Sequence, residues 1–229
     1  MSRRHGGEIA LLALVATAMA SPSALAATAS HFAFQVPSGW RDLTPGSVPE
    51  DSYQDVAPEV AAQIKKSAPL FFAADVANAH GRFMTNVRAT LVGGSGAITD
   101  EVLAGYLADL QATGAKFVAH DHELDDWNGV TVGKIVGELS IGDKVIAQVA
   151  YVIPGDDGRV FLTYSTLPDE LPRYAPIFDA AARGTAGAVQ PVGFLERSGV
   201  RGALLAFIGA AIALVFIRRS RNRRAATPS

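Results

Sequence analysis

Hydrophobic and polar positions alternate along this chain in short runs. Over residues 31–37, Phe32, Phe34 and Val36 fall on one side and His31, Ala33 and Gln35 on the other, the period-two pattern of a half-buried strand. Pro37-Ser38-Gly39 ends it, and Trp40 reads as a packing residue at the sheet end. A Pro-, Gly-, Ser- and acid-rich loop over 44–55 precedes Pro58, which opens a short helix with Val60, Ala61 and Ile64 turned inward. Lys65 and Lys66 occupy its last turn, where positive charge meets the negative helix end. Strands are predicted over 70–76 and 82–92, the second alternating Phe83, Thr85, Val87, Ala89 and Leu91 with Met84, Asn86, Arg88 and Thr90. Thr99 then caps a helix with Asp100 and Glu101 in its first turn and Val102, Leu103, Tyr106, Leu107 and Leu110 as its apolar stripe, ending by Gly114.

Four more strands follow at short intervals: 116–124, 130–141, 144–153 and 159–167, joined by the turn 125–129, Gly142-Asp143 and the loop 154–158. Consecutive strands with turns this short make an antiparallel meander. The third is apolar on both sides, with Val145, Ala147, Val149, Tyr151 and Ile153 against Ile146, Ala150 and Val152, which places it centrally and covered on both faces. A last helix spans 169–183, where Pro172 and Pro176 cannot both sit in a regular interior, so a kink or a start near Pro176 is expected. The pattern therefore predicts one α+β domain over 27–183, a mostly antiparallel sheet flanked by helices, followed by a small-residue linker over 184–198.

The two ends are of another kind. Arg3, Arg4 and His5, the apolar run 9–20 and the Ala24-Leu25-Ala26 pattern predict a signal peptide over 1–26, with Ala27-Thr28-Ala29 offering a second cut three residues later. Residues 202–217 are sixteen uncharged residues in a row. At ~1.5 Å per residue they give roughly 24 Å of helix against a ~30 Å hydrocarbon core, and Arg201 can extend the span by reaching the headgroups. A transmembrane helix over 199–217 is expected, with Gly202, Leu204, Phe207, Ile212 and Ile217 in the bilayer; a buried soluble helix is the alternative for so short a run. Arg218, Arg219, Arg221, Arg223 and Arg224 set its orientation, placing the tail 218–229 in the cytoplasm and the domain outside, in a periplasm or the extracellular space.

The chain has no cysteine, which excludes disulfides, thiolate metal sites and a lipidated N-terminal Cys. Its formal charge of −2 conceals an asymmetry, since residues 27–197 carry 12 Lys or Arg against 21 Asp or Glu, or −9. Such a domain is repelled by nucleic acid and by anionic headgroups. Gly93-Gly94-Ser95-Gly96 carries no chemistry of its own: Ala97 stands where a nucleophile elbow needs glycine, and no Gly-Lys-Ser/Thr completes a P-loop. His120 and His122, two apart on a strand, project from one face and could ligate a divalent metal if Asp125, Asp126 or a residue of a neighbouring strand completed the shell. The remaining histidines of the domain, His31 and His80, assemble no serine-histidine-acid set, and the acidic pairs Asp125-Asp126 and Asp156-Asp157 sit in turns that favour aspartate for local reasons.

The run Phe32-Ala33-Phe34-Gln35-Val36-Pro37-Ser38-Gly39-Trp40, the Asn128-Gly129 turn after a strand, and Asp157-Gly158-Arg159-Val160-Phe161 leading to the helix with Tyr174 and Phe178 resemble the PsbP-like family. The resemblance covers about residues 31–183 and implies an α/β/α sandwich used for binding or assembly, without catalysis; no cofactor is expected. The chain departs from the photosynthetic members by its C-terminal anchor. The expectation is an exported, membrane-anchored accessory module with a protein partner in or at the membrane, its oligomeric state open. A ligand- or metal-binding protein is the alternative, and a hydrolase stands behind both.

Overall fold

In a computed structural model, residues 31–80, 83–94, 96–112, 116–156 and 158–190 are described. They build β1 (Arg41–Asp42), α1 (Pro58–Ser67), β2 (Phe71–Ala74), β3 (Asn86–Val92), α2 (Asp100–Ala112), β4 (Lys116–Trp127), β5 (Val130–Ile141), β6 (Lys144–Pro154), β7 (Arg159–Thr166) and α3 (Leu171–Arg183). The strands form one 7-stranded sheet in the order β1-β2-β3-β7-β6-β5-β4, every neighbouring pair antiparallel.

Alternation along each strand decides what covers each face. Val149, Tyr151 and Ile153 of β6, with Val160, Leu162 and Tyr164 of β7, bury against Tyr174, Phe178, Ala181 and Ala182 of α3. The intervening Ala150 and Val152 meet Leu103 of α2 on the opposite face. Further along that face, Phe72 and Ala74 of β2 pack with Val60, Ala61 and Ile64 of α1. The strand expected to be central and covered on both faces is β6; it lies inside the sheet between β7 and β5, next to the middle strand β7, and is buried from Ile146 to Pro154. Trp40 is a packing residue too, edge-on to Tyr174 at 6.1 Å and to Phe178 at 6.2 Å.

Four local features differ from the sequence pattern. The strand expected over 31–37 is reduced to one bridge, Ala33 with Ala186, because its rings serve the α3-side core rather than extending a ladder: Phe34 stacks on Phe71 at 5.1 Å. β4 continues through Trp127, so the turn expected over 125–129 shrinks to Asn128-Gly129, whose φ values of 56° and 86° suit the two-residue hairpin. Helix α3 starts at Leu171 and runs through Pro176; Pro172 lies in the first turn, where no donor is needed, and Pro176 forfeits only the bond to that first turn. Residues 185–190, expected to be linker, are fastened to the domain: Val189 donates to the Pro154 carbonyl at 3.0 Å, and the Gln190 side chain accepts from the Thr131 amide at 3.0 Å.

The glycine connection before α2 wraps a buried arginine. Arg159, 8% exposed, donates to the Tyr106 hydroxyl at 3.2 Å and to the Gly96 and Ala97 carbonyls at 3.3 Å each. A Cβ on Gly94, already at φ 120°, would come within 2.9 Å of that guanidinium. The signal peptide (1–26), the anchor bearing Gly202, Leu204, Phe207, Ile212 and Ile217, and Arg218, Arg219, Arg221, Arg223 and Arg224 lie outside the described residues. Among the described residues no helix is long and apolar enough to cross a membrane.

Two outcomes follow from this packing. A Cβ on Gly137 would sit 2.5 Å from both the Phe117 ring and the Val118 carbonyl, and a backbone oxygen on the neighbouring strand cannot swing aside. Gly137→Ala should therefore cost roughly 1–3 kcal/mol in urea denaturation, the range for overpacking. Burial raises the pKa of the Tyr164 hydroxyl well above the ordinary 10.0, and burial followed by the Asp75 carboxylate pushes Tyr174 up to about 12. The folded state keeps these phenols protonated where the unfolded chain loses its protons. Their contribution is thus complete below pH 10.0 and is lost as pH rises through about 12 for Tyr174, so tyrosinate absorbance should rise together with loss of circular dichroism rather than before it.

Candidate functional site

The sheet has two borders of very different character. β1 is two residues long. At the other border β4 runs for 12 residues, and among the described residues no strand pairs with its outer side. An unpaired border of that length presents a row of amide and carbonyl groups that another extended chain can complete.

Side chains on β4 are set by a bulge. Its register against β5 shifts between Ala119 and Asp121, which inserts one residue and exchanges the two faces. Phe117, opposite Leu139, enters the α2-side core before the bulge; Trp127, opposite Val130, enters the α3-side core after it. The expectation that His120 and His122 share one face fails for this reason. His120 points to the α3 side, its Nε2 3.6 Å from Glu138, whereas His122 lies opposite Ile135 on the α2 side. Among the described residues no group of three or more His, Asp or Glu is gathered where a metal ion could be held.

The acidic residues of β4 divide by role. Trp127 donates its indole N–H to Asp125 at 2.9 Å, Arg183 of α3 pairs with the same carboxylate, and the guanidinium lies 5.5 Å from the Trp127 ring centre. Glu123 is 3.5 Å from Lys134, which is 3.3 Å from Asp179 of α3, and the Tyr151 hydroxyl donates to that Asp179. Burial, then the Asp179 carboxylate, pushes the Tyr151 phenol far above its ordinary range and keeps it a donor. These contacts clamp α3 to the border. Asp126 accepts from the Gly129 amide at 2.9 Å and shapes the hairpin. Asp121, His120 and His122 are exposed, as are Val118 at 56% and Leu124 at 39%, which project from opposite faces of the strand.

The border thus offers backbone donors and acceptors, an apolar contact on each side and acidic side chains, the features used to bind an extended peptide by strand addition. Its charges and bulge also oppose indiscriminate pairing with another copy of the same acidic strand. The other histidine with an acidic neighbour is His80, whose Nε2 is 3.0 Å from Glu170. Glu170, at the start of α3, also lies 3.9 Å from Arg173, so it is the His80–Glu170 contact that ties His80 to this helix end; no described Ser or Thr hydroxyl hydrogen-bonds the His80 or His120 ring nitrogens.

No family model matches the chain, and no curated protein matches it. Among solved structures it is similar to the cyanobacterial PsbP, CyanoP, of Synechocystis sp. PCC 6803, with a TM-score of 0.46 and 17% identity over 70% of this chain and 88% of that one. It is similar to LpqN of Mycobacterium tuberculosis, a protein involved in cell envelope biogenesis, at a TM-score of 0.46 and 21% identity over 68% and 82% of the two chains. The protein of unknown function PA94 of Pseudomonas aeruginosa gives a TM-score of 0.36 and 13% identity over 50% of this chain and 78% of that one.

Proposed function

We propose that this chain is a non-catalytic accessory module, exported and anchored in the cytoplasmic membrane by residues 199–217, with its sheet domain outside and its basic tail in the cytoplasm. Through the β4 border it adds an extended, basic segment of a membrane-associated protein to its own sheet. The observation that carries this reading is β4 itself: 12 residues on a border that no other strand pairs with among the described residues, with exposed Val118 and Leu124 beside acidic Asp121. The formal charge of −9 over residues 27–197, from 12 basic and 21 acidic residues, favours a cationic partner and disfavours nucleic acid. The signal-like start and the arginines after residue 217 support the topology. Two of the four β4 carboxylates, Asp125 directly and Glu123 through Lys134, help hold α3 in place, which supports a scaffold rather than a reacting centre.

Affinity purification of the full-length protein in mild detergent, with mass spectrometry, tests this against two variants: Val118→Lys/Asp121→Lys, and replacement of residues 198–229 by an unrelated anchor. A partner should appear near stoichiometry with the parent and the anchor replacement, and fall roughly tenfold with the double substitution, a change of ~1.4 kcal/mol. Recovery undiminished in the double variant, or lost on anchor replacement, would overturn recognition through β4. In spheroplasts, external protease should remove the domain while leaving a tag on the C-terminus intact; protection of the domain would overturn the topology.

A further inference from the structure

The face of the sheet opposite α3 is covered unevenly. α1 and α2 build separate apolar clusters, one over β2 and one over β4 to β6. Between them the strands present polar residues. Strand pairing sets Phe72, Arg88, Thr163 and Ala150 in one row across β2, β3, β7 and β6, and Ala74, Asn86, Ser165 and Gln148 in the next. Ser165 at 3% and Gln148 at 6% exposure are buried and hydrogen-bonded to each other at 3.2 Å, while Asn86, Arg88 and Thr163 are half-buried and reach solvent.

The charge on this floor is not matched. The Nε of Arg88 is enclosed without an acceptor, and no described side chain or carbonyl pairs with its guanidinium. Burial alone lowers its pKa below the ordinary arginine value. Arg159, the other buried arginine of the sheet, shows what a structural guanidinium looks like here, with a hydroxyl and two carbonyls accepting from it. Leaving a cation half-desolvated without a counter-charge is destabilising, and such features persist where a ligand completes them.

We propose that the floor between α1 and α2 binds the oxyanion group, carboxylate or phosphate, of a small molecule, with Arg88 as its principal ligand. The guanidinium supplies a planar fork of N–H donors matched to two oxygens of such a group. Thr163 stands one strand spacing away, about 4.8 Å, where its hydroxyl supplies a further donor. The Gln148–Ser165 pair fixes the neighbouring row and keeps the floor polar. This site is independent of the β4 border, which lies three strands beyond β7.

Thermal unfolding of the full-length protein in detergent, with inorganic phosphate or acetate added against chloride at equal ionic strength, provides the test. A saturable upward shift of the midpoint is expected with at least one probe. The shift should be absent in Arg88→Met, whereas general salt exclusion would move both proteins equally. Without added anion, Arg88→Met should be as stable as the parent or more so, because an uncompensated charge has been removed. Should that variant fail to fold, Thr163→Val serves: it should fold and need a several-fold higher anion concentration for the same shift. The absence of a saturable shift in the parent, an equal shift in Arg88→Met, or full retention of affinity in Thr163→Val would overturn the proposal.

Discussion

The domain depends on β6 being buried on both faces. Only a strand with two apolar sides can hold α3 against one face and α2 against the other, and residues Ile146 to Pro154 are buried throughout, the Gln148 amide being hydrogen-bonded to Ser165. Tyr151 carries the α3 side of this burden. Its ring lies edge-on to Tyr164 at 6.0 Å, and its hydroxyl reaches Asp179, joining the aromatic core to the ion pairs at the border. A Phe at that position would keep the ring contact and leave Asp179 with Lys134 alone. Packing and electrostatics are therefore not separate layers: the same side chain anchors both.

This coupling explains why the acidic border stays ordered despite its charge. Of the carboxylates along β4, Asp125 and Glu123 are tied through Arg183 and Lys134 to α3 or to its Asp179 partner, and their repulsion becomes attraction to the helix. The exposed pairs contribute little energy individually. Together with the Trp127 indole and the cation over its ring, they fix where the helix end lies.

Much of this was legible in the residues. Period-two alternation located the meander, the double apolar character of 145–153 identified its covered strand, and Pro58, Thr99 and the basic end of α1 marked helix termini. The resemblance of residues 31–183 to the PsbP-like family implied helices on both faces of the sheet, although the strand expected over 31–37 is only a bridge. What escaped is what depends on pairing. Phe117 and Trp127 are ten residues apart and would share a face on a regular strand; the bulge that sends them to opposite cores leaves no compositional mark. The metal reading of His120 and His122 rested on that unbroken period. Arg88 was visible only as a polar member of an alternating strand, since the lack of an acceptor around it arises from strands far apart in sequence.

The fastening of residues 185–190 has a geometric consequence. Because Val189 and Gln190 are bonded to the ends of β6 and β5, the domain extends through residue 190 rather than ending at 184. Under the proposed anchoring, the eight residues 191–198 extend at most about 3.3–3.6 Å each, roughly 28 Å in all. Under that proposal, so limited a contour length would give a segment emerging from the same membrane a high effective concentration. A partner with its basic segment farther from the membrane than this contour length would be out of reach under the same proposal, however well its charges match.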